Sequence, residues 1–202
     1  ATLLGDLEKS GIRQLDLKHV RHDSTVLSYL VPLAQRRGLG VAMVKENVSL
    51  EMDLPVSFEG YLQSLSAKQR HEVRRKLRRL QEEGTVAYRF IGEGNSLTPV
   101  LDNFFRMFVE SRQDKASFMT AKMEMFFRKL AYAMSQAGLL KMGLLELDGQ
   151  ALAAIMCFDY RGCIYLYNSG YDPKYTSFSP GLLSKVMAIE EAIREGKKRF
   201  DF

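Results

Sequence analysis

From residue 85 onward the apolar positions alternate between two periods. Thr85 to Ile91 is rich in residues that favour strands. Leu101, Phe104, Phe105 and Phe108 then recur at helical spacing, behind a start signal at Thr98 and Pro99. Met123, Phe126, Phe127, Leu130 and Met134 repeat that spacing between Thr120 and Gly138. Leu139 to Leu147 predicts a strand, Asp148-Gly149 a hairpin turn, and Gln150 to Asp159 the returning strand. Arg161-Gly162 turns the chain again into Cys163 to Ser169. Ser179-Pro180-Gly181 opens a helix to Glu195, closed by Gly196, and Arg199 to Phe202 begins a further strand. The order is β-α-α-β-β-β-α-β. Ala151 to Phe158 is apolar at odd and even positions alike, which predicts a sheet covered by helices on both faces. The expected fold class is α+β with a mixed central sheet.

The first 84 residues are less regular. Residues 12–17 predict a short strand. A helix capped by Asp23 or Ser24 runs to about Arg37, with Gly38 and Gly40 behind it. Gly40 to Asn47 and Val48 to Asp53 read as extended segments, and Pro55 punctuates. Residues 57–64 predict a short helix, and Ser66 opens a longer one that runs to Gly84. Residues 1–55 are too few to close a core and read as an N-terminal extension to a main domain of residues 57–202. Phe200-Asp201-Phe202 reads as an interior strand. That predicts a C-terminally incomplete sheet, with further chain or a partner covering that edge.

Composition narrows the classes. The chain has 202 residues, 46% hydrophobic and 26% charged, which excludes wholesale disorder and collagen-like structure. No apolar run approaches the ~20 residues of a membrane-spanning helix. No basic-then-apolar leader is visible, and two cysteines form no disulfide framework, so the cytoplasm is the expected compartment. The net charge of +5 is uneven. Residues 68–79 hold seven of the 29 Lys and Arg residues against the single Glu72. On that helix Val73, Leu77 and Leu80 share one face, while Arg75, Arg78 and Arg79 lie opposite and Arg74 flanks them. Arg74, Arg75, Arg78 and Arg79 are therefore candidates for binding tRNA or another polyanion; the alternative is a solvated helix face.

The element order after residue 85 is that of the first part of the GNAT acyltransferase fold. Ser64-Leu65-Ser66, the basic helix, Ser169-Gly170-Tyr171-Asp172, Ser179-Pro180-Gly181 and Arg199-Phe200-Asp201-Phe202 resemble one branch in particular. It is the acetyltransferase-like domain associated with bacterial cellulose-biosynthesis proteins, related to the Fem-type peptidyltransferases. The resemblance covers about residues 57–202. It implies acyl transfer to the amine of a small-molecule or sugar-like acceptor, with acetyl-CoA or another acyl-CoA as donor and no metal. Fem-type relatives use aminoacyl-tRNA instead. A third possibility is a non-catalytic module that kept the fold and binds an anion or a partner.

The resemblance also marks positions. The junction from Ser169 to Gly181 would cradle the CoA pyrophosphate, with Ser169, Ser179, Pro180, Gly181 and Leu182 as donor-binding candidates. A helix start offers free N–H groups and a positive dipole end. Ser179 is expected to cap and Gly181 to let the ligand approach; the alternative is simply a well-capped helix. On the strand before it, strict alternation places Tyr165, Tyr167 and Ser169 on one face and Ile164, Leu166 and Asn168 on the other. Asn168 is the polar residue nearest the expected thioester, and Tyr167 or Tyr171 could protonate a leaving thiolate. Asp201, between two phenylalanines, is a candidate base for the acceptor amine or a structural hydrogen-bond acceptor. Arg112 to Lys115 form a loop that would border the acceptor. His19, His22 and His71 lack metal-ligand spacing, and Cys157, expected opposite Leu166, has no partner that would make it a nucleophile.

Overall fold

The computed structural model describes residues 2–45, 48, 50–92 and 97–202. The chain divides into two compact units, residues 1–49 and 50–202. The first contains α1 (Thr2–Lys9) and a helix that opens as a π-type turn over Val26–Leu30 and continues as α2 (Val31–Arg36). Residues 12–17 form no strand, a correction to the sequence reading. The extended reading of Gly40 to Asn47 falls partly on residues 46 and 47, outside the described residues.

The second unit begins with β1 (Glu51–Asp53), α3 (Phe58–Ser64), α4 (Ala67–Glu83) and β2 (Val86–Ile91). There follow α5 (Leu97–Ser111), α6 (Gln113–Phe118), α7 (Ala121–Gln136), β3 (Leu140–Leu147) and β4 (Gln150–Tyr160). After β5 (Cys163–Tyr171) a 3-10 helix over Pro173–Phe178 leads into α8 (Pro180–Arg194) and β6 (Arg199–Asp201). Local chemistry sets these limits. Ser66 and Gln69 form a reciprocal capping box at α4, and Ser57 and Thr120 cap α3 and α7. Both hairpins turn through residues with positive φ, Asp148-Gly149 and Arg161-Gly162, whose twist matches paired strands. The loop expected between the two helices after β2 is instead α6, opened by Arg112 in extended backbone.

The six strands form one mixed sheet in the order β1-β6-β5-β4-β3-β2, antiparallel except for β5 beside β6. β6 is interior, as expected. Its outer edge is taken by β1, so residues 51–53, assigned above to the N-terminal extension, complete the main sheet. Cys157 lies opposite Leu166, also as expected, and both cysteines are free and buried.

Every residue from Leu152 to Cys157 in β4 is completely buried. One face of the sheet carries α5 and α7, where Leu101, Phe104, Phe108, Phe127 and Ala131 pack on Met142, Ala154 and Met156. The other face carries α3, α4 and α8, where Tyr61, Val73, Val186 and Ile189 pack on Ile155, Cys157, Ile164 and Phe200. Full burial of each such side chain contributes about 1.5–3 kcal/mol.

The tightest of these contacts is at Gly170. A methyl group there would stand 2.4 Å from the Phe108 backbone nitrogen and 2.7 Å from the Met107 carbonyl carbon, so α5 rests directly on β5. Because the obstructing atoms are backbone, Gly170→Ala must displace the helix. The expected loss is about 1–3 kcal/mol of folding stability, read as a lower denaturant midpoint at unchanged slope.

Candidate functional site

The candidate residues cluster where β5 leaves the sheet and feeds α8. Along β5 the pairing with β4 runs Asn168 to Met156 and then Leu166 to Cys157, so Tyr167 is an extra residue. This bulge overturns the strict alternation read from the sequence. Leu166 packs with Ile164 in the core under α8. Tyr167 lies on the other side, its ring 5.8 Å from Phe127 and 5.3 Å from Phe158. Asn168 faces Met156, which belongs to that same α5/α7 side. A bulge disrupts the ladder and re-aims the side chains around it. Here it puts Tyr167 and Asn168 together on one face. Ser169 is opposite Ile155 and Tyr171 packs with Leu183 and Phe178, on the α8 face. The two tyrosine candidates are thus separated by the sheet.

The turn after β5 is anchored by Asp172, a residue 2% exposed. Its carboxylate accepts from the Lys174 amide at 3.0 Å and from the Arg106 guanidinium of α5 at 3.3 Å. Arg106 also binds Glu110 at 2.9 Å. The 3-10 helix then ends at Ser179, which has left-handed backbone (φ 56°, ψ 51°). Its side chain does not cap α8, contrary to expectation. Its Oγ instead accepts from Lys76 Nζ of α4 at 2.5 Å. Pro180 is buried at the first helical position, and the Leu182 and Leu183 amides both donate to the Ser179 carbonyl. Gly181 has a packing reason: a methyl group there would meet the Tyr171 ring at 3.1 Å. Leu182 is exposed.

The basic helix is divided by its surroundings. Arg74 makes two contacts with Glu59 at 2.8 and 2.9 Å, Arg75 binds Glu72, and Arg78 lies 3.7 Å from Glu82. Hydrogen bonds from Arg75 and Lys76 hold the Glu72 carboxyl down at about 2. Arg70 donates to the Leu62, Gln63 and Leu65 carbonyls, closing the end of α3. Lys76 and Arg79 are the pair that point at the β5–α8 junction, Arg79 standing 5.4 Å over the Phe178 ring. The sequence marked Arg79 and Ser179 separately; the fold brings them to one place and adds Lys76. Arg74, Arg75 and Arg78 are bound to neighbouring carboxylates.

On the opposite side, Lys115 of α6 donates to the Ser169 carbonyl at 2.5 Å and stands 4.7 Å over the Phe108 ring. Desolvation, together with Arg112 and Lys185, lowers its pKa below the ordinary lysine value. Asp201 is half-buried in β6 between Glu51 and Tyr165, on the strand beside β5. Burial pushes the Cys157 thiol well up, which keeps it protonated and unreactive. Among the described residues no three His, Cys, Asp or Glu side chains are grouped to hold a metal.

An interior strand that feeds a helix start, in a mixed sheet covered on both faces, is the architecture the resemblance implied; the bulge at Tyr167 is an addition to it. The family model "Acetyltransferase (GNAT) domain" matches residues 67–202, and the chain belongs to that family. No curated protein matches the chain. Among solved structures, FemX superposes with a TM-score of 0.63 at 12% identity, covering 100% of this chain and 67% of that one. L-PGS from Bacillus licheniformis gives a TM-score of 0.49 at 14% identity over 90% of this chain and 58% of that one. The C-terminal domain of a lysylphosphatidylglycerol synthetase from Agrobacterium fabrum gives 0.46 at 10% identity, over 76% of this chain and 44% of that one. The chain therefore spans between less than half and two thirds of the length of these structures. The FemX likeness is one of fold.

Asp172 and Arg106 escaped the sequence reading because their partners lie 66 residues apart. Asp172→Ala removes the acceptor of a charged group and of an amide in a buried setting. The expected loss is about 1–3 kcal/mol, together with faster hydrogen exchange at the Lys174 amide.

Proposed function

We propose that this chain is an N-acyltransferase using an acyl-CoA donor and an amine on a small-molecule or sugar-like acceptor. The observation that carries the reading is the convergence of Lys76 on Ser179 where β5, bulged at Tyr167, runs into α8. Lys76, Arg79 and the first turn of α8 would hold the donor's phosphates, because a cation and a helix start both favour compact anionic groups. The acyl carbonyl would lie along β5 near Asn168, where bulged backbone offers a donor to the developing oxyanion.

The acceptor nitrogen attacks the thioester carbon, forming the C–N bond as the C–S bond breaks. The proton lost by the amine passes to a base, for which Asp201 is the candidate, and the departing thiolate is protonated. Tyr171, whose ring lies against Gly181 at the donor end, is better placed for the thiolate than Tyr167, which is held among Phe127 and Phe158. No covalent enzyme intermediate is required, and the buried, protonated Cys157 fits that scheme.

The second reading, aminoacyl transfer from tRNA as in Fem-type proteins, is favoured by the basic helix. Against it, Arg74, Arg75 and Arg78 already face Glu59, Glu72 and Glu82, which leaves the Ser179 end as the focus of positive charge. Calorimetry with acetyl-CoA and with aminoacyl-tRNA, followed by thiol-release and amine-acylation assays, separates the readings. Lys76→Met is expected to weaken acetyl-CoA binding about tenfold, the size of one charge-assisted hydrogen bond, while stability changes by less than about 1 kcal/mol. Unchanged affinity would remove Lys76 from the donor site, and binding of aminoacyl-tRNA alone would replace the first reading by the second.

A further inference from the structure

We infer that the half-exposed rings of Phe118, Phe126 and Tyr167 form a platform for the acceptor, and that the preferred acceptor is an amine joined to an aromatic ring by a short alkyl chain. This rests on the acyltransferase reading above and adds the acceptor's chemical class to it. Phe118 closes α6, Phe126 lies in α7 and Tyr167 is the extra residue of the β5 bulge. All three surround Phe127, which is 2% exposed, at ring distances of 6.2, 5.5 and 5.8 Å. Phe158 of β4 backs Tyr167 at 5.3 Å. The outer three remain 48%, 50% and 46% exposed. Three large rings gathered on one buried ring and open to solvent together form a patch, unlike scattered surface residues, and such patches mark binding sites.

Position decides what the patch can serve. Tyr167 adjoins Asn168, where the acyl carbonyl would lie, so a group resting on Tyr167 is next to the reacting carbon. Phe200 packs on the α8 face, so its neighbours Arg199 and Asp201 lie on the opposite face, which Tyr167 shares through Phe127. Glu51 and Asp53 of β1 stand opposite Asp201 and Arg199 in the register. β1 and β6 thus put three carboxylates and one guanidinium on that face, which complements a cation. An alkyl amine is an ammonium in neutral water, as a lysine side chain is. Asp201 lies one strand across from Tyr165, two residues before Tyr167. Strand spacing makes that roughly 8 Å from Tyr167. A ring on Tyr167 and an ammonium facing Asp201 fit one small molecule. The platform's own chemistry selects the ring. A saccharide's hydroxyls need partners when they leave water, and these three side chains offer only the Tyr167 hydroxyl. Aromatic rings favour edge-to-face neighbours at about 4.5–7 Å. Phe118 and Phe126 already make that arrangement with Phe127, and a bound aryl group extends it.

The test titrates phenethylamine, butylamine and glucosamine by calorimetry into wild type, Tyr167→Ser, Phe126→Ser and Phe118→Ala. Acetyl-CoA affinity and sedimentation are measured on the same samples. Phenethylamine is expected to bind wild type about tenfold tighter than either other amine, from the burial and pairing of its ring. Tyr167→Ser and Phe126→Ser should each remove most of that preference, with acetyl-CoA affinity unchanged. Equal binding of phenethylamine and butylamine, or a preference that survives both serine variants, overturns the inference; acetyl-CoA binding then leaves the donor reading standing. Tighter binding of glucosamine, lost in the same variants, makes the platform a sugar site and overturns the aryl assignment. A dimer that Phe126→Ser dissolves overturns it as well, because a second copy then covers the patch. A ring preference carried by these side chains in a protein that does not bind acetyl-CoA sinks the donor reading and leaves the platform in place. Should Phe118→Ala fail to fold, the two serine variants decide the matter.

Discussion

The whole arrangement depends on a strand with no wet face. Each residue from Leu152 to Cys157 is fully buried, so β4 demands helices on both sides and antiparallel neighbours on both edges. Those demands fix where β5 can lie. On one side the backbone of α5 touches Gly170; on the other the Tyr171 ring fills the space that Gly181 of α8 leaves open. Two consecutive residues at the end of β5 are therefore clamped from opposite faces. The segment between that clamp and Ser179 is short and tied to α5 through Asp172 and Arg106. The geometry of the candidate site is thus inherited from core packing, which holds its backbone in one place.

Long periodic segments were legible in the sequence because burial imposes a period on them. The helices at Phe104 and Phe127, both hairpins and the two-sided burial of β4 follow that rule. What escaped has no period. Glu51–Asp53 is three residues with polar ends, and only β6 beside it makes it a strand. Residues 12–17 carry Ile12, Leu15 and Leu17 among polar residues, yet no strand forms there. In β5 the sequence Tyr165, Leu166, Tyr167, Asn168, Ser169 alternates plausibly in either register. The extra residue at Tyr167 is decided by how β5 docks on β4, and one inserted residue exchanges the faces beyond it.

The candidate site shows the same division. The α8 start was visible from Ser179-Pro180-Gly181, but the reason for its residues was misread. Ser179 serves as an acceptor for Lys76 in left-handed backbone, and Gly181 as a seat for Tyr171. Seven basic residues within 12 look alike in sequence. The fold sorts them: one closes α3, three face carboxylates, and Lys76 reaches a serine 103 residues away.

That sorting changes what the net charge of +5 means. Exposed ion pairs such as Arg74 with Glu59 contribute little to stability, yet they cancel charge locally. Other cations find contacts elsewhere. Arg79 lies over the Phe178 ring, Lys115 lies over the Phe108 ring and on the Ser169 carbonyl, and Lys76, shared with Glu72, reaches Ser179. Two separate elements, α4 and α6, supply them, and aromatic rings lie beside Arg79 and Lys115. Cations held at the β5–α8 junction add positive charge beside the start of α8. Under the proposed function, the donor's phosphates would be drawn to that end, and its acyl group would lie along β5 near the Tyr167 bulge, where the backbone departs from regular pairing.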